Sequence, residues 1–155
     1  MKKRDWVEAA AIAAIYVVIT WGISPLAFGP LQFRVSESLK ALALRGRKYI
    51  YALTVGLLLA NLGSPQAGVW ELVLMPVACF TGGEIAYRLR KVPLLALTFY
   101  GAWIGTAVGI TLHLAIGLPL IPTIISVSVT EIPLIVVGEK IVAYLLRAIE
   151  RRMRA

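Results

Sequence analysis

A few polar side chains stand inside long apolar stretches of this chain, and they define the chemistry to consider. Glu131 lies in the run Ser126-Val127-Ser128-Val129-Thr130-Glu131-Ile132-Pro133, with no basic residue within one helical turn. A carboxylate at the centre of an apolar helix costs about 2.5–3.5 kcal/mol to place in a membrane, so it is a functional candidate by default. The alternative is a structural carboxylate paired with Arg34 or Lys40. Gln32, Arg34, Ser36, Glu37 and Ser38 crowd one short segment. Arg34 and Glu37 are three apart and could simply pair on one helix face, but that pair would not account for the other polar groups, which read as a pocket wall. Asn61 ends an apolar stretch, and His113 stands near the end of another. Gln32, Arg34, Glu37, Asn61, His113 and Glu131 are therefore the candidate binding residues. Donors and acceptors converging between helices form the usual small-molecule site.

Other chemistry is poorly supported. One cysteine, Cys79, cannot form an internal disulfide, and one histidine cannot build a zinc site, which needs three or four ligands. No nucleophile–base constellation is apparent, and the phosphate-cradling pattern G-x-x-x-x-G-K-[ST] is absent. No catalytic residue, metal or cofactor is assigned.

The elements that must position these residues follow from composition. Of 155 residues, 59% are apolar and 15% charged, against roughly 45–50% and about 25% in soluble globular domains. Long apolar runs alternate with short basic clusters. This excludes a disordered chain, a disulfide scaffold and a nucleic-acid-binding domain; the net charge of +8 collects at helix ends instead. The reading is an all-α integral membrane protein, a single membrane-embedded domain over 1–155. Its six helices are expected over about Val7–Leu26, Gln32–Leu44, Tyr49–Asn61, Val69–Leu89, Pro93–Gly117 and Thr123–Ile149. The first is read as a retained helix, too long in its apolar core for a signal peptide. The second is short and polar enough to be partly re-entrant.

Basic residues cluster at the N-terminus, at Arg45 to Lys48, at Arg88 to Lys91 and at the C-terminus. The loops over 63–68 and 117–122 carry no charge. That alternation places both termini in the cytoplasm of a multi-pass cell-membrane protein. All six candidate residues then fall in the external half. Glu71 reads as a helix-dipole partner, Glu84 as the partner of Arg88, and Glu139 as a boundary residue. On the first helix, Ala9 with Ala13 and Ala10 with Ala14 give small residues at spacing four. Such faces let helices approach closely, either within the protein or at a docking face for a partner subunit.

The run Phe28-Gly29-Pro30-Leu31-Gln32-Phe33-Arg34-Val35-Ser36-Glu37-Ser38-Leu39 resembles the signature that follows the first helix in the QueT family. Val55 to Asn61 resembles that family's third-helix ending. Thr130-Glu131 resembles a glycine–glutamate near the start of its last helix, with threonine in place of the glycine. The family comprises substrate-binding S-components of energy-coupling factor (ECF) transporters. The resemblance implies a six-helix bundle that binds a queuosine precursor, a 7-deazaguanine. It also implies a partner module of a transmembrane coupling subunit and two ATPase subunits, docked on the alanine face of the first helix. Glu37 and Glu131 would accept the N–H edge and an aminomethyl cation of the ligand, and Arg34 or Gln32 would meet its carbonyl oxygen. The segment Ser24 to Gln32 would serve as a lid shaped by Gly29 and Pro30. An S-component for another vitamin or nucleobase, or a small assembly or channel protein with no tight ligand, are the other readings.

Overall fold

A computed structural model describes residues 3–28 and 33–154, with the side chains of 145, 146 and 148–154 set aside. Among these residues every regular element is a helix, and no strand is present. The elements are α1 (Lys3–Gly22), α2 (Ser24–Ala27), a 3₁₀ helix (Val35–Arg45), α3 (Arg47–Asn61), a π-helical turn (Trp70–Leu74) leading into α4 (Met75–Arg88), α5 (Pro93–Ile116) and α6 (Leu120–Arg154). The expected elements are all present within a few residues of their predicted ends. The first breaks at Gly22, before the single turn of α2, and the second is a 3₁₀ helix rather than an α-helix.

Three helices, Lys3–Gly22, Pro93–Ile116 and Leu120–Tyr144, are long and apolar enough to cross a membrane. Their surroundings are inverted relative to a water-soluble fold. The exposed large residues include Val18, Trp21, Val73, Leu94, Ile125 and Val129, while Arg34, Glu37, Lys40, Glu71 and Glu131 are buried. A soluble protein almost never fully buries those residue types unless they are paired. A protein solvated by lipid turns them inward, since the bilayer offers them nothing.

The 3₁₀ helix runs through the middle of the bundle, touching α1, α3, α4 and α6. Eleven residues is long for this conformation, whose runs seldom exceed three or four. Its consequence is local and specific. Three residues per turn stack positions i and i+3 on one edge, so Glu37 and Lys40 lie one above the other. The helix seats against α6 because Gly138 has no side chain: a Cβ there would come within 2.7 Å of the Ser38 carbonyl carbon.

The most extensive helix pair is α5 with α6. Gly101, Gly105 and Gly109, at spacing four on α5, face Ile132, Ser128 and Ile124 on α6. A Cβ on Gly101 or Gly105 would lie 2.8 Å from the Cα of Ile132 or Ser128, and one on Gly109 would lie 3.0 Å from that of Ile124. Glycines at this spacing let two backbones approach within van der Waals range, which is how helices gain packing energy where no hydrophobic effect separates lipid from protein.

One end of the bundle is tied by ion pairs. Lys48 bonds Asp5 at 3.1 Å and Glu8 at 2.6 Å, Arg47 bonds Glu84 at 3.0 Å, and Arg45 bonds Glu139. Glu84 thus pairs across helices rather than with Arg88, and Glu139 pairs with the end of the 3₁₀ helix. These pairs gather the start of α1, the start of α3, the end of α4 and the middle of α6 at the same end as the basic clusters.

Replacing Gly105 with valine is expected to destabilise the bundle by about 1–3 kcal/mol, the usual cost of overpacking. Gly22→Ala, with nothing within 4 Å of the added Cβ, is expected to be neutral. Apparent unfolding midpoints of the two variants in detergent check this; equal midpoints would refute the close-approach account of α5 and α6.

Candidate functional site

Two polar clusters lie within the apolar interior. The first is built on the 3₁₀ helix. Glu37 accepts hydrogen bonds from the Tyr16 hydroxyl on one carboxylate oxygen and from the Lys40 ammonium on the other. Thr20 and Ser36 share a hydrogen bond at 2.7 Å, and the Thr20 hydroxyl also bonds the carbonyl of Tyr16 at 2.8 Å. Lys40 lies 5.7 Å from the centre of the Tyr100 ring, a cation–π approach. The Tyr100 hydroxyl donates to the carbonyl of Cys79 at 2.8 Å. Glu131 reaches this cluster from α6 and interacts with both Glu37 and Lys40. One of its oxygens, Oε2, is buried without a hydrogen-bond partner. Glu37, Lys40 and Glu131 are each no more than 1% exposed.

The second cluster is centred on Arg34, which precedes the 3₁₀ helix in an extended conformation (φ −103°, ψ 97°). Its guanidinium bonds other partners than Glu37. Its Nε donates to the carbonyl of Ala27 at 3.0 Å, Nη1 to Asn61 at 3.0 Å and Nη2 to Glu71 at 3.3 Å. The Phe28 ring covers it at 4.9 Å. Asn61, the last residue of α3, also donates to the backbone carbonyl of Glu71 at 3.4 Å. Glu71 is carried by the π-helical turn, a distortion that often marks functional positions. It alone among the five residues of that turn is buried.

The predicted residues thus divide. Arg34, Glu37, Asn61 and Glu131 are buried and lie in the two clusters. His113 does not join them. It is exposed, and its Nδ1 lies 2.7 Å from the carbonyl of Leu118. With Gly117 in the left-handed conformation (φ 73°), whose N–H bonds the His113 carbonyl at 3.0 Å, it closes the turn after α5. Gln32, with Gly29 and Pro30, lies outside the described residues. Arg34 and Glu37 do not pair with each other; Lys40 takes Glu37, and Glu71 takes Arg34. Glu131 lies eleven residues past Leu120, about 16 Å along α6. Tyr16, Lys40 and Glu71 complete the clusters from outside the candidate binding set: Lys40 is expected only as a possible partner of Glu131, Glu71 only as a helix-dipole partner, and Tyr16 not at all. Of the alanines, Ala9 and Ala13 are buried against α3, where a Cβ on Gly56 would lie 3.1 Å from the Ala13 carbonyl oxygen, while Ala10 and Ala14 remain exposed.

Chemically, the interior offers anionic acceptors on two facing elements, Glu37 and Glu131, next to cationic donors, Lys40 and Arg34.

The family model described as QueT transporter matches residues 6–147. A curated relative, the queuosine precursor transporter QueT of Lactococcus lactis subsp. cremoris (strain MG1363), is 45% identical over 62 residues. That stretch is 39% of this chain and spans 37% of the relative's length. No solved structure matches the chain.

Breaking a buried ion pair by removing one partner typically costs about 3–5 kcal/mol, because the other charge is stranded. Lys40→Met is therefore expected to lower the unfolding midpoint markedly. Lys40→Met combined with Glu37→Gln is expected to recover much of the loss. A double-mutant cycle on thermal unfolding checks the coupling; additive effects would disprove the pair.

Proposed function

The chain belongs to the QueT transporter family, and on that premise we propose that it captures a queuosine precursor, a 7-deazaguanine, in the buried cluster around Glu37 and Glu131. The observation that carries this reading is a pair of buried carboxylates on two different elements, one of them with an unpartnered oxygen. The pyrimidine edge of a deazaguanine presents adjacent N–H donors, which one carboxylate can accept in bidentate fashion, as carboxylates do for guanidinium. An aminomethyl substituent adds a cation for the second carboxylate. Lys40 is the donor best placed for the ligand's carbonyl oxygen, with Tyr16 holding Glu37 in position. Arg34, fully engaged by Ala27, Asn61 and Glu71, orders the segment above the cluster rather than touching ligand directly.

In this reading the protein is a transport subunit, not an enzyme, of the multi-pass cell-membrane type. Six segments span or enter the bilayer, with the basic, ion-paired end in the cytoplasm as positive residues prefer. It acts as the S-component of an ECF importer, with a transmembrane coupling subunit and two ATPase subunits supplying the energy. Of the four alanines at spacing four on α1, Ala10 and Ala14 stay exposed, and they are the part of that face free for the coupling subunit.

Calorimetric titration of the purified, detergent-solubilised protein with 7-aminomethyl-7-deazaguanine and with guanine tests the capture. The expected result is saturable binding of the deazaguanine, weakened about tenfold or more by Glu37→Gln and by Glu131→Gln, since each removes a charge-assisted hydrogen bond. No binding by a folded, monodisperse protein would refute it, and tight binding of a different vitamin or base would reassign the ligand.

A further inference from the structure

Five charged side chains are buried among the described residues: Arg34, Lys40, Glu37, Glu71 and Glu131. Arg34 is matched by Glu71, and Lys40 by Glu37. Glu131 is the third carboxylate, and no third cation accompanies it. It interacts with Glu37 and Lys40, while its Oε2 has no hydrogen-bond partner. The other titratable groups of this cluster cannot supply positive charge. From α1 comes the Tyr16 phenol, from α4 the Cys79 thiol and from α5 the Tyr100 phenol. His113 is exposed and bonded to Leu118. An uncompensated anion in a dry interior costs several kcal/mol, and two neighbouring carboxylates relieve that cost by sharing one proton.

We propose that the empty protein holds one proton between Glu37 and Glu131, and that a cationic ligand displaces it, so that capture is an exchange of one proton for one organic ammonium ion. This rests on the capture reading above and narrows its substrate class. The ligand arrives as R–NH₃⁺; the carboxylic acid gives its proton to solvent; the ammonium group and the new carboxylate remain paired. Three buried carboxylates then face three cations, and the interior is neutral in both states. A ligand with the same bicyclic base but a neutral substituent brings no charge to release the proton. The cluster therefore discriminates by charge as well as by shape. Affinity for the amine rises with pH by about one decade per unit while the pair holds its proton and the ligand stays charged.

The test is calorimetry of the full chain with 7-aminomethyl-7-deazaguanine in two buffers of equal pH and different ionisation enthalpy, beside infrared spectroscopy of the empty protein. Release of about one proton per ligand is expected, with observed heats that differ between buffers accordingly. The neutral 7-cyano analogue is expected to give equal heats. A carboxylic-acid carbonyl band is expected in the empty protein and should be lost in either Glu37→Gln or Glu131→Gln, because removing either carboxylate balances the remaining one against Lys40. Heat without buffer dependence overturns the exchange and leaves capture standing. Absence of the acid band overturns the held proton. No heat, with the band present, overturns the capture reading while the held proton stands.

Discussion

The interior of this bundle is governed by Glu37. It is an anion on a central helix, surrounded by an apolar assembly whose outer face is also apolar, so its partners must come from within. Tyr16 reaches it from α1 and Lys40 from one turn further along its own helix. The 3₁₀ conformation makes the second contact direct, since it aligns residues three apart. Much of the rest follows. Lys40 is then buried against Tyr100 on α5, Tyr100 is fixed by the Cys79 carbonyl on α4, and four elements are tied to one carboxylate. Polar groups in such a low-dielectric setting are strong when satisfied and costly when not. In the Glu37 cluster Glu131 Oε2 is left without a partner, as Glu71 Oε2 is in the Arg34 cluster, and the proposed capture uses the first of these.

Backbone contact makes that central position reachable. The 3₁₀ helix lies directly on α6 at Gly138, and α5 lies directly on α6 along Gly101, Gly105 and Gly109. Side chains at those glycines would hold the helices apart and leave the charged residues of the 3₁₀ helix too far from α6 to interact with Glu131. The Arg34 cluster has a complementary task. It joins α2, the end of α3 and the π-helical turn, closing the end of the bundle opposite the surface ion pairs.

Much of the architecture is legible in the sequence because lipid imposes simple rules. Apolar runs punctuated by basic clusters gave the helices within a few residues, and polar residues within or between those runs marked Arg34, Glu37, Asn61 and Glu131 as unusual. Partner assignments were not legible. Spacing joins Arg34 to Glu37, but an extended residue at Arg34 and a 3₁₀ helix after it hand Glu37 to Lys40. Glu71 reads as an ordinary helix-start carboxylate until the π-helical turn rotates it inward. Tyr16 is one aromatic among many apolar residues, and nothing local to it announces a carboxylate partner 21 residues away. Two signals were there to be read: the spacing-four glycines of α5 mark a close helix contact, and Gly117, four residues after His113, marks a helix end that employs the histidine structurally.

The clamp and the charge bear on each other. Ser128 and Ile132, the α6 residues against Gly105 and Gly101, bracket Glu131. Pro133, two residues beyond it, removes one backbone hydrogen bond from the same stretch. α6 is thus gripped by α5 just where it carries a buried carboxylate and a missing backbone hydrogen bond. Packing against bare backbone is short-ranged and cannot be kept through a small sideways shift, so it holds Glu131 in register with Glu37 or fails outright. A carboxylate pair held this firmly cannot relax around whichever ligand arrives. In the proposed capture, that spacing, set by glycine contacts remote from solvent, selects ligands by where they carry their donors and their charge.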